Sequence, residues 1–193
     1  MTNNPAAMIG AALLLVAAPA LASSPNLKLS KHYSPPTNSF SCLVPREWYG
    51  FEEEEPTGFV THLLGPDNPG GTFRTGIDIH RMEKGTPGFV SYSKAIKRMR
   101  KSGGPSSRHA TPLAYTQVAG NLGILFEVTE RRWLADERLA AEETAIHHFI
   151  CVVPDGENYW IIRLSSTRDV FLNYRQLFRD FLSNFRPLGY SGS

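Results

Sequence analysis

The chain has 193 residues, the length of one ordinary domain with room for a short extension. Apolar residues make up 41% and charged residues 20%, a balance that excludes a disordered or collagen-like chain. A formal net charge of +2 excludes a strong overall field for nucleic acid, so no nucleic-acid partner is expected.

The first segment reads as an address rather than a fold. Met1 to Ala22 contains no Asp, Glu, Lys, Arg or His, and Ile9 to Ala18 is a continuous apolar run. Small residues at Ala20 and Ala22 then give the pattern of a secretory signal cut after Ala22. The n-region departs from the pattern, since its one positive charge is the α-amino group. The apolar run falls short of the ~20 residues that a spanning helix needs, so cleavage rather than anchoring is expected. The expected product is exported, periplasmic or extracellular, with no transmembrane segment after signal removal.

Export changes the reading of the two cysteines. Cys42 and Cys151 would meet an oxidising compartment, where a bridge closing so long a loop stabilises by about 4–5 kcal/mol. The alternative is a pair of buried thiols acting as small hydrophobes. Zinc and redox spacings are absent.

Ser23 to Asn38 is polar, carries Pro25, Pro35 and Pro36, and reads as an extended leader. Phe40, Cys42 and Val44 alternate with Ser41 and Leu43, which predicts a strand ending at Pro45. Phe51 to Glu55 and Thr57 to Leu64 continue as strand-like pieces, and Gly65 to Gly71 reads as a loop. In Thr75 to Met82, Ile77 and Ile79 alternate with Asp78 and His80. Phe89, Tyr92, Ile96 and Met99 recur at helical steps and predict an amphipathic helix, closed by Ser102 to Pro105. Two hairpins follow. One joins Thr111–Val118 to Gly123–Trp133 around Gly120-Asn121, the other Glu143–Val153 to Tyr159–Ser165 around Pro154 to Glu157. A long helix ends the chain, with Val170, Tyr174, Leu177, Phe178, Phe181, Leu182 and Phe185 on one broad face. Ser166 and Asp169 have capping-box spacing at its start.

Hairpins imply an antiparallel sheet, and two apolar-faced helices need sheet surface to cover. The expected fold class is α+β, an antiparallel sheet sandwiched between helices. The expected organisation is a signal over 1–22, a leader over 23–38, one domain over 39–188 and a disordered tail over 189–193.

The strand Phe40 to Val44 ending in Pro45-x-x-Trp48 resembles the opening of PsbP-like proteins. The strand Tyr159 to Ser166, running into an aromatic helix that ends Phe181-Leu182-Ser183-Asn184-Phe185, resembles their close. The hairpin with Gly120 lies between the two, and the order of these features carries the resemblance over most of the mature chain. That superfamily includes photosystem II extrinsic proteins, a Ran-binding import factor and exported bacterial proteins. The resemblance implies an exported bacterial member with an α/β/α sandwich that acts as an accessory or binding protein without catalysis. No family site residue is carried over.

Several constellations remain. His147 and His148 are adjacent on a strand, so their rings should diverge to opposite faces, and neither they nor His80 is assigned as a metal ligand. Glu52 to Glu55 reads either as a Ca²⁺-recruiting run or as a solvated edge strand that discourages sheet pairing. Glu127, Glu130, Asp136 and His109 assemble an acid-base site only on paper. Lys94, Lys97, Arg98, Arg100, Lys101 and Arg108 form a single-sign patch, with no acid from Ser91 to Arg108. Trp48, Tyr49 and Phe51 are either core aromatics or a partner anchor. The expected function is that of a non-catalytic accessory protein binding another protein or a membrane-associated complex. Its candidate contacts are Trp48, Tyr49, Lys97, Arg98, Arg100 and Lys101. The alternative is a periplasmic small-molecule or metal-binding module; no catalytic residue and no cofactor are assigned.

Overall fold

A computed structural model describes residues 28–101, 108–136 and 139–188. The expected signal segment and the tail over 189–193 lie outside the described residues. Strands β1 (Leu29–Tyr33), β2 (Phe40–Pro45), β3 (Tyr49–Glu55), β4 (Gly58–Asp67) and β5 (Arg74–Met82) precede helix α1 (Tyr92–Arg100). Then come β6 (His109–Ala110), β7 (Ala114–Val118), β8 (Asn121–Asp136), β9 (Leu139–Asp155), β10 (Asn158–Thr167), helix α2 (Arg168–Asn184) and β11 (Arg186–Pro187).

Eight strands form one antiparallel sheet in the order β3-β4-β5-β10-β9-β8-β6, with β7 also paired to β8. Strands β1, β2 and β11 form a small second sheet. Alternation along the central strands sorts the core into two layers. Trp160, Ile162 and Leu164 of β10 join Phe149, Cys151 and Val153 of β9 beneath the aromatic face of α2. Tyr159 of β10 joins Ile150 and Val152 of β9 beneath Ala95 and Ile96 of α1. The fold is therefore the expected α+β sandwich, with unequal covers: a long helix plus a small sheet on one face, a nine-residue helix on the other.

Local chemistry adjusts the elements in four places. Leu29–Tyr33, expected within an extended leader, is a strand paired to β2, so the small sheet draws the leader into the fold. Gly65, expected at the start of a loop, lies inside β4. A Cβ at Gly65 would sit 2.5 Å from the Trp48 ring, so this glycine admits the indole rather than making a turn. The first hairpin turns on Ala119-Gly120, both at positive φ (49° and 83°), one residue before the expected Gly120-Asn121. Helix α2 begins after Thr167, whereas the buried Ser166 belongs to β10.

Candidate functional site

Because α1 covers only part of its face of the sheet, the remainder presents side chains to solvent. Strands β8, β9, β10, β5 and β4 contribute Glu130, His148, Ser165, Asp78 and His62 to this surface in turn. His148 is 5% exposed, with Nδ1 2.8 Å from Ser165 Oγ and Nε2 3.3 Å from Glu130 Oε1. A carboxylate only accepts, so Nε2 carries the proton and Nδ1 accepts from the serine hydroxyl. Burial lowers His148 to about 4; the Arg163 guanidinium adds to the shift and Glu130 opposes it. Arg132 donates to Glu130 at 2.6 Å, Arg163 to Asp78 at 2.7 Å, and His62 Nδ1 lies 2.8 Å from Asp78.

A serine, a neutral imidazole and a carboxylate in contact are the parts of a nucleophile and its base. Ser165, however, sits in mid-sheet, its backbone paired on one side to Gly76 and on the other to His148. An oxyanion needs preorganised donors, and here the neighbouring guanidiniums are engaged by Asp78 and Glu130. The geometry is that of a cross-strand polar network that satisfies a buried histidine.

This network was hidden from the sequence because it depends on register. His148 meets Ser165 only because β9 and β10 pair from Asn158↔Asp155 onward. The acid-base set expected on paper does not assemble. Glu127 faces α2 and meets Arg175 at 2.7 Å, Glu130 faces the opposite side, and His109 lies on the short strand β6. The side chain of Asp136 lies outside the described residues.

The other expected residues fall into distinct environments. The rings of His147 and His148 diverge as expected, His147 stacking on Phe171 of α2 at 4.8 Å between centroids. His80 pairs with Ile161 of β10 and contacts Thr57, so an entire strand separates it from either. Strand β3 lies at the sheet edge with Glu53, Glu54 and Glu55 exposed. Glu52 instead turns inward and accepts from Thr37 and Thr61. Cys42 and Cys151 are free and buried in the same core layer, and burial pushes both thiols up to about 12. The unbridged alternative is the one the structure contains.

The Trp48 ring is in the core, not at the surface where the partner-anchor reading places it. It is 2% exposed, held between Gly65 of β4 and the Tyr174 ring of α2. Tyr49 is 49% exposed, its hydroxyl accepting from Arg74 at 2.7 Å.

The basic helix keeps its charge outward. Tyr92, Ala95, Ile96 and Met99 turn toward the sheet, leaving Lys94, Lys97, Arg98 and Lys101 exposed. Cations gathered in the last turn also favour the negative end of the helix dipole. Arg100 differs: it folds back, donates to the Thr111 carbonyl at 3.0 Å and lies over the Phe126 ring. Elsewhere Arg74, Arg81, Arg131, Arg132, Arg163 and Arg175 each meet a carboxylate. Among the described residues, no cation of α1 has a carboxylate within ion-pair distance. Lys97, Arg100 and Lys101 line an open recess with Arg108 and His109, so the patch extends beyond the helix to β6.

No family model matches this chain, and no curated protein matches it. Solved structures do. The chain resembles a cyanobacterial PsbP from Synechocystis in solution, at 15% identity and a TM-score of 0.50, covering 82% of this chain and 92% of that one. It also resembles a protein of unknown function from Pseudomonas aeruginosa, at 10% identity and a TM-score of 0.51, covering 82% of this chain and 97% of that one. The chain therefore has a PsbP-like fold. None of the helices among the described residues is long and apolar enough to cross a membrane.

Proposed function

We propose that this is an exported, non-catalytic accessory protein that holds an acidic surface of a partner protein through the outer face of α1. The supporting observation is the contrast in charge pairing. Six arginines elsewhere on the molecule are matched to carboxylates and Arg46, Arg168 and Arg179 stand singly, whereas Lys94, Lys97, Arg98 and Lys101 lie together on one helix face, exposed and unmatched among the described residues. Unmatched like charges cost self-repulsion unless a complementary surface meets them, and such surfaces speed association in a salt-dependent way. The PsbP-like fold agrees with an accessory role. Export rests on the pattern of Met1 to Ala22.

The test is cross-linking in host cells followed by capture of the tagged mature chain at low and high salt. Wild type should capture a reproducible partner whose yield falls as salt rises through the range that shortens the Debye length. The triple variant Lys97→Glu, Arg98→Glu, Lys101→Glu should lose that partner while its melting temperature stays within a few degrees. Equal capture by wild type and variant would contradict the assignment. So would retention on anionic lipid vesicles without any protein partner, which would make the surface a lipid contact.

A further inference from the structure

The large sheet has two outer margins, and they differ in charge. Strand β3 closes one with Glu53, Glu54 and Glu55 exposed, acids that discourage another strand from pairing there. Strand β7 lies along the other. Its residues Ala114-Tyr115-Thr116-Gln117-Val118 carry no charge and no proline. Its register against β8 runs unbroken from Ala114↔Leu125 to Val118↔Asn121, with no bulge to twist the edge away. Among the described residues, no strand pairs with its outer side. Alternate N–H and C=O groups of β7 therefore face outward as a template for one more strand.

Helix α1 runs out to this same margin. Just before its start the Tyr159 hydroxyl of β10 donates to the Val90 carbonyl, and at its end Arg100 donates to the Thr111 carbonyl, shortly before β7. Lys97 and Lys101 line a recess with Arg108 and with His109 of β6, which pairs to β8 beside β7. Tyr115 lies opposite Ile124, and Ile124 packs against the core layer beneath α1, so Tyr115 stands on the α1 face of the sheet. Burial raises the pKa of the Tyr92 hydroxyl of α1, and Tyr115 is near enough to add to the rise. Tyr115 is 67% exposed, and its diagonal neighbour Leu122 is 52% exposed. An open tyrosine and leucine beside unpaired backbone, rimmed by cations, have the make-up of an interface.

Backbone and charge together define the occupant. The edge suits an extended chain, whose own alternate donors and acceptors match those of β7. The charge suits acids, since no Asp or Glu occurs from Ser91 to Arg108. Residues two apart in a strand share a face, so acids at every second position all turn toward α1.

We infer that β7 takes up an extended acidic segment of the partner protein as one more strand, its acids turned toward the cations of α1. The inference rests on the α1 reading of the function and gives the form of the partner at that surface.

The probe is an acetylated, amidated octapeptide alternating Glu and Val, with Lys-Val and Glu-Pro octapeptides as comparators. The Glu-Pro peptide keeps the charge but loses every second N–H and cannot extend a ladder. In ¹⁵N-labelled protein, hydrogen exchange of the outward β7 amides should slow as the Glu-Val peptide binds, saturably, and less at raised salt. The Lys-Val and Glu-Pro peptides should bind about tenfold more weakly. Tyr115→Glu, at an exposed position, should weaken the Glu-Val peptide about fivefold through a cross-strand clash of like charge. Equal binding of the Glu-Val and Glu-Pro peptides, lost in the Lys97→Glu, Arg98→Glu, Lys101→Glu variant, would overturn strand addition and leave the α1 reading standing. Slowed β7 exchange that this variant does not weaken would overturn both. The inference is also overturned if ~1 mM Glu-Val peptide leaves β7 exchange unchanged. Slowing without peptide that grows with protein concentration would overturn it too, by assigning the edge to a second copy of the chain.

Discussion

His148 shows how one side chain carries information that only the folded chain reveals. Its ring is ordinary in sequence, one of six histidines, and becomes distinctive when β8 and β10 bring Glu130 and Ser165 to its two nitrogens. Burial holds the folded pKa near 4, below the unfolded value near 6.5. Between these values only the unfolded chain takes up the proton, so stability falls as pH drops from about 6.5 to about 4. The loss is on the order of 3 kcal/mol and flattens below pH 4, where both states are protonated. Urea midpoints measured across this window should show that acid limb, and His148→Gln should flatten it. An unchanged limb in the variant would assign the effect to other groups. The cysteines give a second test at this scale. With both thiols raised to about 12 by burial, native protein should resist alkylation without reductant, and both cysteines should react once unfolded. Unfolded protein that still resists alkylation would establish a bridge.

At the scale of elements, periodicity located both helices and most strands, because the 3.6 and 2.0 repeats reflect which face is buried. The faces of α1 and α2 are those predicted, from Tyr92, Ile96 and Met99 and from Tyr174 through Phe185. What periodicity could not locate were features set by contacts between elements. Gly65 is inside a strand because Trp48 needs its space, and β1 is a strand because β2 offers an edge. The hairpin turn at Ala119-Gly120 is a third case. Ala119 is exposed at φ 49°, a left-handed conformation that costs an ordinary residue about 1–2 kcal/mol and suits Asn well. Ala119→Asn should therefore raise stability by about 1 kcal/mol, seen as a higher urea midpoint with an unchanged slope. A lower midpoint would mean that the alanine makes a contact worth more than the strain.

For the molecule as a whole, the sandwich was legible and the candidate sites were legible only in part. The basic patch could be read directly, since a stretch without acids is a property of the sequence. That Arg100 turns back to Thr111 while Lys97, Arg98 and Lys101 stay outward required the packing of α1 against Phe126. Trp48 was misleading for the opposite reason, because a core aromatic and an interface anchor look alike until burial is known. The unequal covers of the sheet have a functional consequence. The short helix exposes its charge at one edge, and the strands beside it carry a balanced network in which each arginine has its carboxylate. Among the described residues, unpaired cations also stand singly at Arg46, Arg168 and Arg179, but α1 gathers Lys94, Lys97, Arg98 and Lys101 on one face, and the account stands or falls on whether a partner meets them there. The most direct measurement places a photo-activated cross-linking residue at Lys97 in one variant and at Arg179 on α2, also exposed and cationic, in another. The account predicts a discrete adduct from position 97 that raised salt diminishes, and none from position 179. Equal adducts from both positions, or an adduct from 179 alone, would contradict it.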